Sequence, residues 1–225
     1  MTAGGGFGAV LDLLVPAVCG GCGVPGTPWC EDCAAELSDH PIRLSPRVDP
    51  GVPVWALGRY AGVRRRAVIA MKERGRRDLA GHLGSALALA LGRLGGWHEL
   101  DTSAPLVLIP APSRARAARR RGGDPVTRMA AAAVGDERVC RALKLRLGAR
   151  DSVGLSAAQR RTNLGGRVRI TGRGHALAEV AGSRPASVVF VDDVMTTGTT
   201  VTESTAVLRN AGIEVSAALV VAGVG

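Results

Sequence analysis

The chain has 225 residues, of which 46% are hydrophobic, and it carries a formal net charge of +10 at pH 7. This length fits one domain with a small addition, and the apolar content excludes disorder along the whole chain. Only six residues are aromatic (three Trp, two Phe and one Tyr), which argues against a surface that stacks bases on rows of aromatic rings. Because no apolar run approaches the roughly 20 residues that span a bilayer, we predict a cytoplasmic protein without membrane insertion.

The positive charge is concentrated in the middle of the sequence. Residues 59–173 contain 25 basic and 8 acidic residues, a net charge of +17, whereas the flanking segments are both acidic. A basic segment attracts phosphate groups, so phosphate-bearing ligands, nucleic acid among them, are candidates. For any single arginine, a solvated surface position is the simpler interpretation.

Four of the five cysteines form two closely spaced pairs near the N-terminus. Cys19 and Cys22 make one Cys-x2-Cys pair, and Cys30 and Cys33 make the second. Each pair favours a tight turn that aims two thiolates at one point, and four thiolates suit a tetrahedral zinc ion. With every coordination position taken by sulfur, the predicted zinc is structural rather than catalytic.

Strands and helices alternate after this cysteine segment, as judged from the spacing of apolar residues. The predicted strands cover residues 52–60, 106–109, 139–145, 168–170, 188–191 and 215–221. The predicted helices cover residues 63–74, 78–94, 126–134, 157–164 and 199–211. We therefore expect a zinc-ribbon or knuckle element over residues 1–50. An α/β domain over residues 51–225, with a mostly parallel sheet and flanking helices, would follow it.

The strongest functional signal is the segment Val188–Thr200. It reads as an apolar strand, then two carboxylates at Asp192 and Asp193, then a threonine-rich loop around Gly198 that leads into a helix. Backbone N–H groups, Thr hydroxyls and the helix N-terminus form a cradle suited to one phosphate. The paired carboxylates can accept hydrogen bonds from neighbouring ribose hydroxyls. These features predict a ribose 5-phosphate site, whereas a plain strand-turn-helix with a Thr cap leaves the two carboxylates unexplained.

This segment closely resembles the phosphoribosyl pyrophosphate (PRPP) loop of type I phosphoribosyltransferases. The order of motifs along the whole chain is similar to the ComF family, in which a double zinc ribbon precedes a phosphoribosyltransferase domain. That family is linked to DNA uptake in natural transformation. Besides the four cysteines and residues 188–200, the motifs that carry the likeness are Tyr60-Ala61-Gly62, Lys72, Ile109-Pro110-Ala111-Pro112, a basic loop, and Leu155, Arg160 and Asn163.

The resemblance implies roles for individual residues. Asp192 and Asp193 would form the catalytic acidic pair that holds the ribose hydroxyls. Lys72, Arg114 and Arg121 would also contact PRPP, the two arginines near its pyrophosphate, with Mg²⁺ bridging the pyrophosphate and the ribose. The 5′-phosphate would be held by Thr196, Thr197, Gly198, Thr199 and Thr200.

The residues leave two classes of function open. One is a Mg²⁺-dependent phosphoribosyltransferase with an unidentified acceptor. For this class the resemblance implies that residues 150–163 supply a mobile loop over the site. Thr196 stands where purine enzymes of this type often carry a carboxylate, and Thr is a poor general base. The other class is a protein without turnover that senses PRPP, binds single-stranded DNA or contacts other competence proteins.

Overall fold

The computed structural model describes residues 17–113, 123–146, 167–182 and 186–224. Within these ranges the chain forms an α/β fold with one five-stranded sheet and one separate pair of short strands. The strands are β1 (Ile42–Leu44), β2 (Val54–Ala56), β3 (Leu106–Pro110), β4 (Leu143–Leu145), β5 (Val168–Ile170), β6 (Ser187–Met195) and β7 (Ala217–Gly223). The helices are α1 (Glu31–Leu37), α2 (Gly62–Glu73), α3 (Leu79–Gly96), α4 (Pro125–Val134), α5 (Gly172–Ala181) and α6 (Thr199–Asn210).

Four of the five strands of the main sheet run parallel. The strand order is β1-β2-β7-β6-β3, and only the edge strand β1 runs antiparallel to its neighbour. Strands β4 and β5 pair antiparallel outside this sheet. The predicted α/β class with a mostly parallel sheet and flanking helices is therefore confirmed. In such sheets ligands bind beyond the carboxyl ends of the strands.

The central strands are apolar on both faces because both faces are covered. Val189 and Val191 of β6 pack in the cluster formed with α2, α3 and α4, whereas Val188 and Phe190 pack with α6 and the β4–β5 pair. Every residue of β7 is buried. This layering leaves the ends of the strands as the places where a ligand can reach the sheet.

The segment that carries the cysteines shares the core of the larger part. Cys19, Cys33 and Leu37 are buried in the same apolar cluster as Leu83 of α3. Strand β1 then joins the edge of the main sheet. The division of the chain at residue 50 stays a prediction.

Two predicted strands are shorter than expected. The stretch 52–60 forms a strand only at Val54–Ala56, and the stretch 139–145 only at Leu143–Leu145. In the second case the chain first makes a single bridge from Val139 to Leu108 of β3, then leaves the sheet to pair with β5. A continuous apolar pattern does not reveal that change of partner.

The strand predicted at 188–191 is longer than expected and continues to Met195. Asp192 pairs with Val220 of β7, and Met195 pairs with Gly223. The two carboxylates therefore lie inside the strand rather than just beyond its end.

Strand β1 and helix α5 were not predicted. Strand β1 has two exposed residues out of three, and α5 buries only Gly174 among the residues of its helix. Neither segment presents the periodic apolar face from which strands and helices are recognised.

Several predictions concern residues outside the described ranges. They are the helix at 157–164, the closing loop at 150–163, Arg114 and Arg121. Among the residues that are described, no helix combines the length and apolar character needed to cross a membrane.

Helices α3 and α4 approach each other closely at Gly84. A Cβ atom at this position would lie 2.5 Å from the Cβ of Ala132 and 2.8 Å from the carbonyl oxygen of Met129. Gly81, one turn earlier in α3, has no atom within 4 Å of the corresponding point. The two glycines therefore differ in packing but share one helix.

We predict opposite effects of alanine at these two glycines. Gly84→Ala should lower the free energy of unfolding by about 1–3 kcal/mol, because the helices must move apart. Gly81→Ala should raise it by about 0.5–1 kcal/mol through helix propensity. Urea denaturation of both variants tests this, and equal effects would contradict the close contact.

Candidate functional site

Strand β6 carries two adjacent aspartates, and the alternation of side chains along a strand turns them to opposite faces. Asp193 is 1% exposed, whereas Asp192 is half-buried. Each carboxylate also accepts a bond from the next backbone N–H. Oδ1 of Asp192 lies 2.8 Å from the nitrogen of Asp193, and Oδ1 of Asp193 lies 2.6 Å from that of Val194. The backbone thus fixes the direction of both carboxylates.

The buried Asp193 is paired with a lysine from α2. Nζ of Lys72 lies 2.5 Å from Oδ2 of Asp193, and the lysine side chain remains 38% exposed. A buried carboxylate without a partner costs several kcal/mol, so this contact accounts for an acid inside the apolar layer. The structure therefore brings together two of the predicted site residues that are 121 positions apart in the sequence.

Asp192 has a different electrostatic environment. Burial and the neighbouring Asp193 carboxylate raise the pKa of Asp192 well above its usual value, and the Lys72 ammonium opposes this only in part. Hydroxyl donors or a cation at this carboxylate would lower the pKa again. Asp192 is thus the member of the pair that gains most from a ligand.

The loop after β6 lies against Asp192. Asp192 lines one small cavity together with all five predicted loop residues, 196–200. Gly198 has φ of 90° and caps the N-terminus of α6. A Cβ atom there would lie 2.8 Å from the Cβ of Pro46 and from the carbonyl oxygen of Val48. Only glycine fits both this backbone angle and this space.

The loop carries hydroxyl groups at the start of α6. Oγ1 of Thr197 and Oγ1 of Thr199 lie 2.9 Å apart. The first N–H groups of a helix have no partner inside the helix, and the helix dipole places partial positive charge there. The cavity beside Asp192 therefore combines hydrogen-bond donors and a positive field, which together suit a small anion.

The segment 46–50 supports this loop from behind, which the sequence did not indicate. The backbone nitrogen of Val48 donates to the carbonyl of Thr197 at 3.2 Å. Further along α6, Oγ1 of Thr205 donates to the carbonyl of Pro50 at 3.0 Å. No local pattern in either segment predicts contacts over such a separation.

A second cavity, of about 230 Å³, lies at the carboxyl end of the neighbouring strand β3. Its walls include residues 110–113, Asp124 and the cationic residues Arg141 and Lys144. The backbone nitrogen of Ala111 donates to the carbonyl of Val191 at 2.7 Å, which places this turn beside the acidic part of β6. The two cations were not among the predicted site residues, since nothing in the sequence separates them from other surface charges.

The four cysteines near the N-terminus form a cluster that can hold a metal ion. Their sulfur atoms all lie within 4.8 Å of one another, with Sγ of Cys30 at 3.7 Å from that of Cys19 and 3.6 Å from that of Cys22. Tetrahedral metal–sulfur bonds of 2.3 Å place sulfurs about 3.8 Å apart. The predicted ligand set, completed by Cys33, is therefore confirmed as a geometric cluster.

The environment of Cys19 favours the thiolate form of its side chain. Burial raises its pKa, but backbone N–H donors oppose this and lower the pKa to about 6. Two such donors, the nitrogens of Gly21 and Cys30, each lie 3.4 Å from its sulfur. The fifth cysteine, Cys140, lies half-buried away from the cluster, and burial raises its pKa.

Arginines attach the cysteine segment to the helices. Four arginines of α2, α3 and the turn between them donate to backbone carbonyls of residues 18–39. The pairs are Arg66 with Gly21, Arg76 with Val18 and Pro28, Arg64 with Glu36, and Arg93 with Ser38 and Asp39. These members of the basic segment have a structural role, so the segment cannot serve phosphate binding as a whole.

Comparison with known proteins adds no assignment. No protein-family model matches the chain, and no curated protein matches it significantly. The described site residues therefore stand on geometry alone: Asp192 with the loop, Asp193 with Lys72, and the four cysteines with one another.

We predict that the cysteine cluster binds about one metal ion per chain. Cys33→Ser should remove most of the bound metal and make residues 17–40 sensitive to protease, because small metal sites couple binding to folding. Cys140→Ser is the matched control and should keep the metal. Metal content by mass spectrometry and limited proteolysis measure this, and full metal content in Cys33→Ser would contradict it.

We also predict that Asp192 makes stability depend on pH. Its folded-state pKa is raised, so the folded chain holds this proton more tightly than the unfolded chain, and ionising the carboxyl destabilises the fold. The gain in unfolding free energy from Asp192→Asn should be smallest below about pH 4, near the unfolded-state pKa. It should grow as the pH rises and then level off.

Denaturation of wild type and Asp192→Asn across pH 4–8 tests this sign. Asn keeps an oxygen that can accept from the next N–H. Asp136→Asn, at an exposed aspartate, controls for loss of a carboxylate. A gain that shrinks with rising pH would show that the Asp192 pKa is not raised.

Proposed function

We propose that this protein binds PRPP at the carboxyl ends of β6 and β3 and acts as a Mg²⁺-dependent phosphoribosyltransferase of the ComF type, with an acceptor still to be identified. The observation that carries the proposal is the single cavity lined by Asp192 and residues 196–200. A carboxylate and a phosphate cradle side by side match a sugar phosphate better than they match a free anion.

The 5′-phosphate is assigned to the loop. The N–H groups at the start of α6, the hydroxyls of Thr197 and Thr199, and the glycine at 198 supply donors without a side chain in the way. The first turn of α6 contains no acidic residue, so no like charge opposes a phosphate there.

The ribose is assigned chiefly to Asp192. Its half-buried carboxylate faces the phosphate cavity and can accept hydrogen bonds from two adjacent hydroxyls. Asp193 is almost fully buried and already paired with Lys72. We therefore assign Asp193 a positioning role, in which it holds β6 in register. The lysine keeps enough exposure to approach a ligand as well.

The pyrophosphate is assigned to the second cavity, beside β3. Arg141 and Lys144 line it, and two cations near a leaving pyrophosphate stabilise the charge that develops as its bond to C1 of the ribose breaks. Arg114 and Arg121 are proposed from the resemblance to complete this neutralisation. Mg²⁺ would supply further charge neutralisation, held largely by oxygens of the substrate itself.

We propose that the metal of the cysteine cluster is structural zinc. Four thiolates at tetrahedral spacing suit zinc and leave no open coordination position for chemistry. The cluster lies against α2 and α3, so its contribution is to stabilise the helix that presents Lys72.

Calorimetric titration with PRPP and Mg²⁺ tests the binding step. The double variant Asp192→Ala/Asp193→Ala should lose measurable binding. Gly198→Ala should weaken binding at least tenfold, because the new Cβ displaces the loop from Pro46 and Val48. Gly212→Ala is the matched control: Gly212 also has a positive φ, of 84°, but open space around it. The Gly212→Ala variant should lose some stability but keep its affinity for PRPP.

Unchanged affinity in the double variant would overturn the proposed site. Turnover is tested separately by pyrophosphate release from PRPP with Mg²⁺ and a panel of base-like acceptors. Binding without release for every acceptor would favour a PRPP sensor over an enzyme.

A second candidate function, binding of single-stranded DNA, is favoured by one specific feature. A groove of about 340 Å³ lies between the cysteine cluster and α2, and Arg65, Arg66 and Arg74 on its wall are exposed. Arg66 is engaged with Gly21, but Arg65 and Arg74 project from the surface of the described part of the chain. Such a basic groove fits a phosphate backbone.

The salt dependence of oligonucleotide binding tests this second candidate. Each phosphate contact should contribute about 0.7 to the slope of log affinity against log salt. The double variant Arg65→Ala/Arg74→Ala should reduce that slope by about 1.4, whereas Arg173→Ala, at an exposed arginine of α5, should not. An unchanged slope in the double variant would exclude this groove.

A further inference from the structure

The short ribbon formed by β4 and β5 carries its charged side chains on one face. Lys144 of β4 lies directly opposite Arg169 of β5. The backbone nitrogen of Arg146 donates to the carbonyl of Arg167 at 2.7 Å, so the pairing continues one residue beyond β4. Because side chains alternate along a strand, Lys144, Arg146 and Arg169 project from the same face, and all three are exposed. We call these three residues the ribbon cations.

The opposite face of the ribbon is apolar and fixes its orientation. Leu143 and Val168 are buried, and Leu145 and Ile170 pack against the cluster that contains Phe190 of β6. Turning the charged face inward would expose these apolar side chains to water and would bury the cations, and both changes are unfavourable. The ribbon cations therefore stay directed toward solvent.

The ribbon cations are not neutralised by nearby acids. Within residues 139–146 and 167–182, six residues are basic and only Glu179 is acidic. The described part of the chain provides a carboxylate partner for Arg141, which lies 3.8 Å from Asp136, but none for a ribbon cation. Like charges placed directly opposite each other on two strands are destabilising. An anion near the ribbon would relieve that repulsion.

The ribbon leads to the cavity beside β3. Lys144 belongs to both, because it also lines that cavity together with Arg141. The Cβ atom of Arg169 lies about 5 Å from that of Lys144 across the strand pair, and Arg146 follows about 7 Å along β4. The Debye length at physiological salt is about 8 Å. The fields of the three cations therefore overlap at the mouth of the cavity.

Arg146 and Arg169 are placed to act on an approaching ligand rather than on a bound one. Neither is among the described residues that line the cavity. A charge at the rim of a binding site typically changes the association rate and its salt dependence, whereas a charge in contact with the ligand changes the dissociation rate. The role of these two arginines can therefore be separated from that of Lys144.

We propose that Arg146 and Arg169 steer PRPP toward the cavity beside β3 and so raise its association rate without contacting the bound ligand. This inference rests on the proposed function, which places the pyrophosphate of PRPP in that cavity. PRPP carries phosphate groups at both ends, and a surface field of the opposite sign concentrates such an anion near the site. The acceleration falls steeply as the ionic strength rises.

The test compares the association rates of PRPP and of inorganic pyrophosphate, measured with the full-length protein and Mg²⁺. Calorimetry gives the affinity, and line shapes of the phosphorus-31 NMR signals of the ligand give the dissociation rate. The association rate follows from the two. At an ionic strength of about 0.01 M, where the Debye length is about 30 Å, Arg146→Gln/Arg169→Gln should lower the association rate of both ligands about threefold or more. The dissociation rates should not change, and in about 1 M salt, where the Debye length is about 3 Å, the difference should disappear.

Two further variants separate steering from other effects. Arg43→Gln/Arg77→Gln removes the same charge from two exposed arginines, on β1 and in the turn before α3, and should leave the association rates nearly unchanged. Lys144→Gln alters the cavity wall and should raise the dissociation rate of pyrophosphate. The Arg146/Arg169 variant should be at least as stable in urea as wild type, because it removes the repulsion between Lys144 and Arg169.

Equal association rates in the Arg146/Arg169 and Arg43/Arg77 variants would overturn the proposal. So would a raised dissociation rate in the Arg146/Arg169 variant, because it would show direct contact with the bound ligand, or an absence of pyrophosphate binding to wild type. Failure of the proposed function would look different. PRPP would then bind no more tightly than pyrophosphate, and Asp192→Ala/Asp193→Ala would not change its affinity.

Discussion

The ion pair between Lys72 and Asp193 is the contact on which the candidate site depends. It allows a strand that is apolar on both faces to continue through two adjacent carboxylates instead of ending before them. Because Asp193 is neutralised on the side of α2, β6 keeps its pairing with β7 as far as Met195. That pairing places Asp192 beside the loop of residues 196–200, where burial and the neighbouring Asp193 carboxylate raise its pKa. Removal of the lysine charge would leave a buried carboxylate unpaired and would disturb the strand on which the loop is mounted.

The basic segment serves more than one purpose. Four of its arginines donate to carbonyls around the cysteine cluster and so join that segment to α2 and α3. Arg141 and Lys144 line the cavity beside β3. Arg65 and Arg74 lie exposed along a separate groove. The basic residues of this segment therefore fall into three groups: structural hydrogen bonds, a candidate anion site and an exposed surface. Only the charges on the exposed surface are strongly screened by salt.

The two ends of the parallel strands offer chemically different cavities. At the carboxyl ends, donors, a helix N-terminus and a carboxylate suit a charged sugar phosphate. At the amino ends, a cavity between α3 and α4 has mainly apolar walls instead. The sheet and the helices that cover it separate these two environments, so each can be altered by mutation without direct contact with the other.

The α/β class, the four clustered cysteines and the position of the loop after Asp192 could be predicted from the amino-acid sequence, because each depends on residues close together in the chain. A Cys-x2-Cys pair or a strand-loop-helix run forms much the same shape wherever it is placed. Three other features depend on how the layers pack. Lys72 pairs with Asp193, Arg66 donates to Gly21 across 45 residues, and the segment 46–50 supports the loop. The packing also continues β6 through its acidic pair. These contacts join residues far apart in the chain, and their partners are set by how the layers pack, which no local pattern of residue types encodes.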